Sequence, residues 1–353
     1  MTSIALFTLT TTDPGDLGPL RTVLADKGCA PEDIVAVIGK TEGNGCVNDF
    51  SRGLSAAVWE PRLPAGAVTV FSGGTEGVLS PHVNLFVRDE RDHPGFDRGL
   101  VAAAGRTRVL QPHEIGREAQ LDAVTETVGT LRAELGVSPG DIHLVVVKCP
   151  LLTSDKIAEI RSRGEVPVCT DTYESMARSR AASALGVAAA LGECDRPRAL
   201  RALAGAEPVH SARASTSAGA ELADCHIMLI AESAAVSNPL RAVHGSMADA
   251  LDLAAVTALL DRIRAQGGAV RQIFAKAEAD PSGTVRGLRH TMSTDSDLHS
   301  TRHARAAVGG LLSALKGDGA VYVSGGAEHQ GPPGGGSIAI IYELPRPDED
   351  GMP

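Results

Sequence analysis

A chain of 353 residues with 43% hydrophobic content can bury a sizeable core, and with only 3% aromatics that core has to be aliphatic. The formal net charge of -10, from 33 basic and 43 acidic residues, excludes a polyanion as the natural partner, and so few rings exclude a stacking platform for nucleic acid. Six cysteines with no C-x-x-C pair and no regular spacing exclude a zinc ribbon and a disulfide framework, so thiols in a reducing environment are expected. Met1 to Phe7 carry no basic segment or long apolar run, and no later stretch approaches a membrane span, so a cytoplasmic protein is expected.

Taken in order, Ile4 to Thr8 reads as a strand, followed by an Asp13-Pro14-Gly15 turn and a helix from Leu17 to Lys27. A strand ending at Lys40, a glycine-rich loop through Asn44-Gly45-Cys46, a helix starting at Arg52 and strands at Ala67 to Phe71 and Val83 to Val87 complete a first unit, residues 1–91. His93 to Gly105, with Pro94, Gly95 and Gly99, reads largely as a linker. A second unit, residues 99–235, has a strand near Thr107 and a helix from Glu118 to Leu135 with apolar residues at helical spacing. It continues with a strand ending at Lys148, an inserted helix from Ser154 to Gly164, a helix from Ser179 to Leu191 and a strand from Cys225 to Ile230. The third unit, residues 241–353, reads as a helix from Ala248 to Gln266, a strand to Lys276, a polar loop from Asp280 to Arg289, a helix from Arg305 to Leu315, the strand Val321 to Val323 and a last strand from Ile338 to Tyr342. A tail from 345 to 353 is expected to be disordered.

One phrase recurs through these units. Ser72-Gly73-Gly74-Thr75-Glu76, Ser217-Ala218-Gly219-Ala220-Glu221 and Ser324-Gly325-Gly326-Ala327-Glu328 each set a glutamate four places after a serine, with small residues between. Upstream of each serine stands a lysine at the end of an apolar run (Lys40, Lys148, Lys276), and between the two stands an arginine followed by small or apolar residues (Arg52, Arg180, Arg305). Lysine, arginine and serine in that order three times over indicate a triplicated unit. Any single copy reads more simply as a surface lysine and a turn. Arg178 and Arg302 are rivals for the arginine positions, which the Arg-Ala-Ala alignment resolves towards Arg180 and Arg305. Gly73-Gly74-Thr75-Glu76-Gly77 lacks the spacing of a dinucleotide loop.

The chain resembles the cyanuric acid hydrolase and barbiturase family of ring-opening amidohydrolases, most closely at Ser72-Gly73-Gly74-Thr75-Glu76-Gly77 and Leu79-Ser80-Pro81-His82. The resemblance implies an α/β (α+β) fold of three structurally related helix-and-sheet units around a pseudo-threefold axis, with a β-rich centre and helices outside. It implies a homotetramer and no organic cofactor. It also implies a structural Mg2+ or similar hard cation held by Glu278 and by main-chain oxygens at Ala327, Gln330, Gly331, Pro332 and Gly335.

If the serine turns point to one axis, the lysines, arginines and serines face a single cavity suited to a small flat ring with carbonyls at threefold positions, as in cyanuric acid and, nearly, barbituric acid. The expected binding set is Arg52, Arg180 and Arg305 as clamps, Ser72, Gly73, Ser217, Ala218, Ser324 and Gly325 at the turns, and Lys40 and Lys276. A serine needs a base, and a lysine made neutral by burial can be one. Lys40 and Lys276 have carboxylates two places on, Glu42 and Glu278, expected to keep them protonated, whereas Lys148 is followed by Cys149-Pro150. Lys148 and Ser217 are therefore expected to be the catalytic pair, and the resemblance points to the same unit. A non-catalytic binding protein with the same cavity is the alternative.

Overall fold

The computed structural model describes residues 2–26, 28–91 and 93–346, so most of the expected disordered tail, from 347 onward, lies outside the described residues. The first third of the chain forms β1 (Ser3–Thr10), α1 (Gly18–Asp26), β2 (Ile34–Thr41), α2 (Phe50–Trp59), β3 (Val68–Gly73) and β4 (His82–Asp89). There follow β5 (Gly99–Arg106), α3 (Glu118–Glu134), β6 (Ile142–Pro150), α4 (Ser154–Ser162), α5 (Thr172–Ala190), α6 (Arg196–Leu203), β7 (Ala214–Gly219) and β8 (His226–Ser233). The last part holds β9 (Leu240–Met247), α7 (Leu253–Arg264), β10 (Ala269–Ala277), a short hairpin of β11 (Thr284–Val285) and β12 (Leu288–Arg289), α8 (Ser300–Lys316), β13 (Tyr322–Gly325) and β14 (Gly336–Glu343).

Three four-stranded sheets result, each with the same order: β1-β4-β2-β3, β5-β8-β6-β7 and β9-β14-β10-β13. In each, one pair is parallel: β2 with β3, β6 with β7, and β10 with β13. A parallel pair needs a crossover between its strands, and the helices supply it: α2 in the first sheet, α4 to α6 in the second, α8 in the third.

Alternation along these strands sorts their side chains into two kinds of core. One face of each sheet packs under its own helices, as Val37, Leu85 and Trp59 do in the first, Val145, Val147 and Leu131 in the second, and Ile273, Val323 and Leu312 in the third. The opposite faces meet in a common centre, where Ile38, Val70 and Phe86 pack with Val146, Met228 and Ile230 and with Phe274, Tyr322 and Ile341. Three sheets backed by helices thus enclose one apolar core, and a residue placed two positions beyond it on a strand emerges at its end.

Several expected boundaries shift, α8 for instance starting at Ser300 and not Arg305, and three shifts have a clear local setting. The expected linker at 93–105 contains β5, where Gly99 and Gly105 resemble breakers. A Cβ on Gly99 would lie 2.6 Å from that of Asn238, so the glycine permits close packing instead of ending a strand. The strand expected near Thr107 correspondingly lies earlier, and Thr107 follows it. The helix carrying Arg180 starts at Thr172, not Ser179, because Asp171 caps it by accepting from the Glu174 N–H at 2.7 Å.

The central core sets the stability of the whole. Phe274, 1% exposed, has ring centroids 6.2 Å from Phe86 and 5.4 Å from Tyr322. Phe274→Ala should cost about 3–5 kcal/mol, read as a lower denaturant midpoint in chemical unfolding.

Candidate active site

Strand register puts the recurring residues side by side. Lys40 stands opposite Ser72 in the β2/β3 pair, Lys148 opposite Ser217 in β6/β7, and Lys276 opposite Ser324 in β10/β13. In-register neighbours on adjacent strands point the same way. Here that way is towards the end of the central core, since Ile38, Val146 and Phe274, two residues before each lysine, belong to it. The serines, expected where each strand gives way to a tight turn, lie one residue before the ends of β3 and β13 and two before the end of β7.

At that end lies a narrow cleft. Arg52, Arg180, Arg305, Ser72, Ser217, Ser324, Gly73, Ala218 and Gly325 all line it, so nine of the expected binding residues meet there. Lys148 lines it too, while Lys40 and Lys276 do not. The ammonium groups of those two hold main-chain carbonyls and one serine hydroxyl. Lys40 Nζ donates to Gly73 O at 2.7 Å, and Lys276 Nζ to Thr216 O at 2.7 Å, Ser324 Oγ at 3.1 Å and Gly325 O at 3.2 Å. Both lysines are buried behind the serine turns and fasten them. Lys148 Nζ donates to Phe71 O at 2.7 Å and Ala218 O at 3.4 Å.

The glutamates of the recurring phrase, given no role from sequence, tie the units together. Arg180 grips Glu328 through Nε and Nη2, both at 2.7 Å, and Arg305 grips Glu76, with Nε to Oε2 at 2.8 Å. Arg52 Nε lies 3.8 Å from Glu221 Oε1, too far for a hydrogen bond, and is a buried donor without a partner. Each arginine therefore reaches the glutamate of the next unit in a closed cycle. The small residues make room for it: a Cβ on Gly74 would come within 2.3 Å of Arg305 Nε, and one on Gly326 within 2.5 Å of the Arg180 guanidinium. Of the rival arginines, Arg178 pairs with exposed Glu174, and Arg302 joins Glu76 at 3.1 Å outside the cleft lining.

This arrangement also corrects the expected pairing of Lys40 with Glu42 and Lys276 with Glu278. Both glutamates follow the ends of β2 and β10, where strand alternation no longer governs direction. The carboxylates that act most on the three lysines are Glu76, Glu221 and Glu328, with Asp49 a weaker one for Lys40 and Lys148. Burial lowers all three lysines: Lys40 and Lys276 fall well below the usual range, helped by Arg305 and Arg180, and Lys148 falls to about 8, with Glu221, 3.5 Å away, opposing.

The serine hydroxyls are not equivalent. Ser72 Oγ donates to Ser324 Oγ at 3.3 Å, whereas Ser217 Oγ is buried, bonds neither a lysine nor another serine, and has the Tyr322 hydroxyl beside it. Among the described residues, the lysine to serine hydrogen bond recorded in the site is that of Lys276 with Ser324. Tyr173, Met176, Thr301 and Gly45 also line the cleft. Tyr173, Met176 and Arg180 share a face of α5 at i, i+3 and i+7, a signal hidden by placing the helix start too late.

Glu278 sits against the loop that follows Ser324: its carboxylate accepts from Ala327 N at 3.1 Å and Gly334 N at 3.0 Å. Burial, with Glu328 adding, raises its pKa. His329 holds φ 58 in this loop, a strained conformation for a non-glycine residue, with Nδ1 2.6 Å from Val209 O. Both carboxylate oxygens of Glu278 thus accept from main-chain N–H groups of this loop.

A triplicated α/β sheet assembly around a lysine, arginine and serine cleft is the architecture of a ring-opening amidohydrolase. The family described as amidohydrolase ring-opening protein matches residues 5–343, and the chain belongs to it. It is 67% identical over 345 residues to a cyanuric acid amidohydrolase of a Rhodococcus species, covering 98% of this chain and 97% of that one. It is 56% identical to another from a Sarocladium species, covering 97% and 99%. A solved cyanuric acid hydrolase superposes with a TM-score of 0.92 at 43% identity, covering 98% of this chain and 100% of the other. No helix among the described residues is long and apolar enough to cross a membrane.

Glu328→Gln should leave the Arg180 charge buried without its counter-ion, costing about 3 kcal/mol, visible as a lower unfolding temperature. The exposed pair tests the contrast: Glu174→Gln beside Arg178 should change stability by less than about 0.5 kcal/mol.

Proposed function

We propose that this chain hydrolyses cyanuric acid, with Ser217 as nucleophile and Lys148 as its base. The observation that carries the reading is that Lys148, alone of the three lysines, lines the cleft, opposite in register to Ser217, which of the three cleft serines is the one that bonds neither a lysine nor another serine. The near-threefold set of arginines and serines suits a ring with three carbonyls, and the relatives named above are cyanuric acid amidohydrolases.

In the reaction, neutral Lys148 takes the Ser217 proton as Oγ adds to a ring carbonyl, and main-chain N–H groups of the small-residue turns steady the oxyanion. The ring C–N bond breaks, and the departing nitrogen takes the proton back from Lys148. Water then attacks the Ser217 carbamate ester, with Lys148 accepting its proton and returning one to Ser217 Oγ. Carboxybiuret leaves and loses carbon dioxide to give biuret. Arg52, Arg180 and Arg305 hold the carbonyls, and Lys40 and Lys276 keep the other two turns rigid.

A second reading takes Lys276 and Ser324 as the pair, favoured by their 3.1 Å contact. Substitutions separate the two: Ser217→Ala should lower kcat by a factor of about 10³ or more, and Ser324→Ala by much less. The opposite ranking would favour the second pair. A parallel ultraviolet assay with cyanuric and barbituric acids should show turnover of the first in preference; binding of either without product would mean a non-catalytic cavity.

Lys148 must be neutral to act, and its pKa lies near 8. The protonated, inactive form accumulates as pH falls, so kcat/KM should drop about tenfold per unit below that value and level off above it.

A structural Mg2+ or similar cation would be held by Glu278 with main-chain oxygens of Ala327, Gln330, Gly331, Pro332 and Gly335. When bound it supplies charge neutralisation for the buried carboxylate and takes no part in bond breaking. Chelation should lower the unfolding temperature, added Mg2+ should restore it, and Glu278→Gln should remove the response. A homotetramer is proposed on the family alone, and light scattering checks it.

A further inference from the structure

Lys148 borders two spaces. Besides the axial cleft it lines a second one of ≈ 560 Å³ at the boundary between the first and second sheets, walled by Glu60, Thr69, Glu221, Asp224 and His226. We propose that this lateral cleft is the route by which hydrolytic water reaches the Lys148–Ser217 pair and by which the proton of the product acid leaves, while the ring and its opened fragment enter and leave through the axial cleft. The inference rests on the acyl-enzyme reading above.

The geometry favours it at three points. First, the axial cleft is narrow, and the acyl fragment that stays on Ser217 after ring opening keeps its carbonyls among the arginines, so that side is filled when water is needed. Second, the lateral walls can order water and relay a proton. Lys148 lies 3.5 Å from Glu221 Oε1, His226 Nε2 lies 3.5 Å from Asp224 Oδ1, and Thr69 Oγ1 donates to Glu60 Oε1 at 2.6 Å. Third, the opening belongs to the loosest join of the cycle. Arg180 and Arg305 are locked to their glutamates through two nitrogens each, but Arg52 stands 3.8 Å from Glu221, which leans to Lys148. Lys40 also borders a further space, of ≈ 260 Å³, yet Trp59, Phe71, Pro81 and Val83 make much of its wall, and Lys40 does not reach the axial cleft.

In the deacylation step water adds to the ester carbonyl and gives one proton to Lys148. Collapse expels Ser217 Oγ, which takes that proton, and the new carboxylic acid releases its own through the lateral cleft. One water is consumed, and carboxybiuret anion and a proton are formed, with no redox change.

The test narrows this route without touching the catalytic pair or the arginines. Ala223 and Ala56 stand in its wall, and Ala223→Trp and Ala56→Leu should each lower kcat about tenfold while KM and the unfolding temperature stay close to those of the parent. Acid quenching with ring-labelled cyanuric acid should then show labelled protein accumulating in both variants beyond the parent level, and label lost in Ser217→Ala. Values of kcat within twofold of the parent in both variants, with the bulky side chains seen in place crystallographically, overturn the route and leave the acyl-enzyme reading untouched. A fall in kcat without added label overturns a role in deacylation. Absence of label from the parent as well, at quench times within one turnover, overturns the acyl-enzyme reading on which the route depends.

Discussion

Buried charge is what closes this molecule on itself. Three arginines stand at the sheet boundaries, all nearly inaccessible, and each is answered by a carboxylate of the next unit in the cycle. Removing a guanidinium from water without a counter-ion is far more expensive than any exposed ion pair is favourable. An arrangement of the sheets that left any of these charges buried away from its partner is therefore disfavoured, so the cycle selects which face of one unit meets which face of the next.

The same economy of charge prepares the lysines. Their Nζ groups donate to main-chain carbonyls, while burial and neighbouring guanidinium groups disfavour the charged form. Three copies of one motif have then diverged in use. Two lysines lie behind the serine turns as fasteners, and the third, Lys148, reaches the cleft wall. The divergence follows the one weak join in the cycle, at Arg52 and Glu221, where Lys148 draws the carboxylate towards itself.

The legible part of the site was the part repeated in the chain. All three arginines, all three serines and the adjoining small residues could be named because the phrase occurs three times, and they do converge on one cleft. Tyr173, Met176 and Thr301 occur once each and had no such support. The motif glutamates were visible as letters but silent as to partner, because the arginine each one meets is 148 or more positions away for Glu328 and Glu76, and in a different unit. Pairing Lys40 with Glu42 failed because a rule about strands was applied one residue past the end of a strand.

By itself the order of residues determined that a lysine, an arginine and a serine would recur in three α/β units, since strand and helix periods and small-residue turns are local properties. It also determined which strand ends would carry the recurring lysines and serines. Only the tertiary structure decided which lysine meets the cleft, which serine stands clear of the lysines and of the other serines, and which carboxylate answers which arginine. These depend on contacts between units far apart in the chain, whose distances are set by how three sheets close around one core and not by any spacing along it.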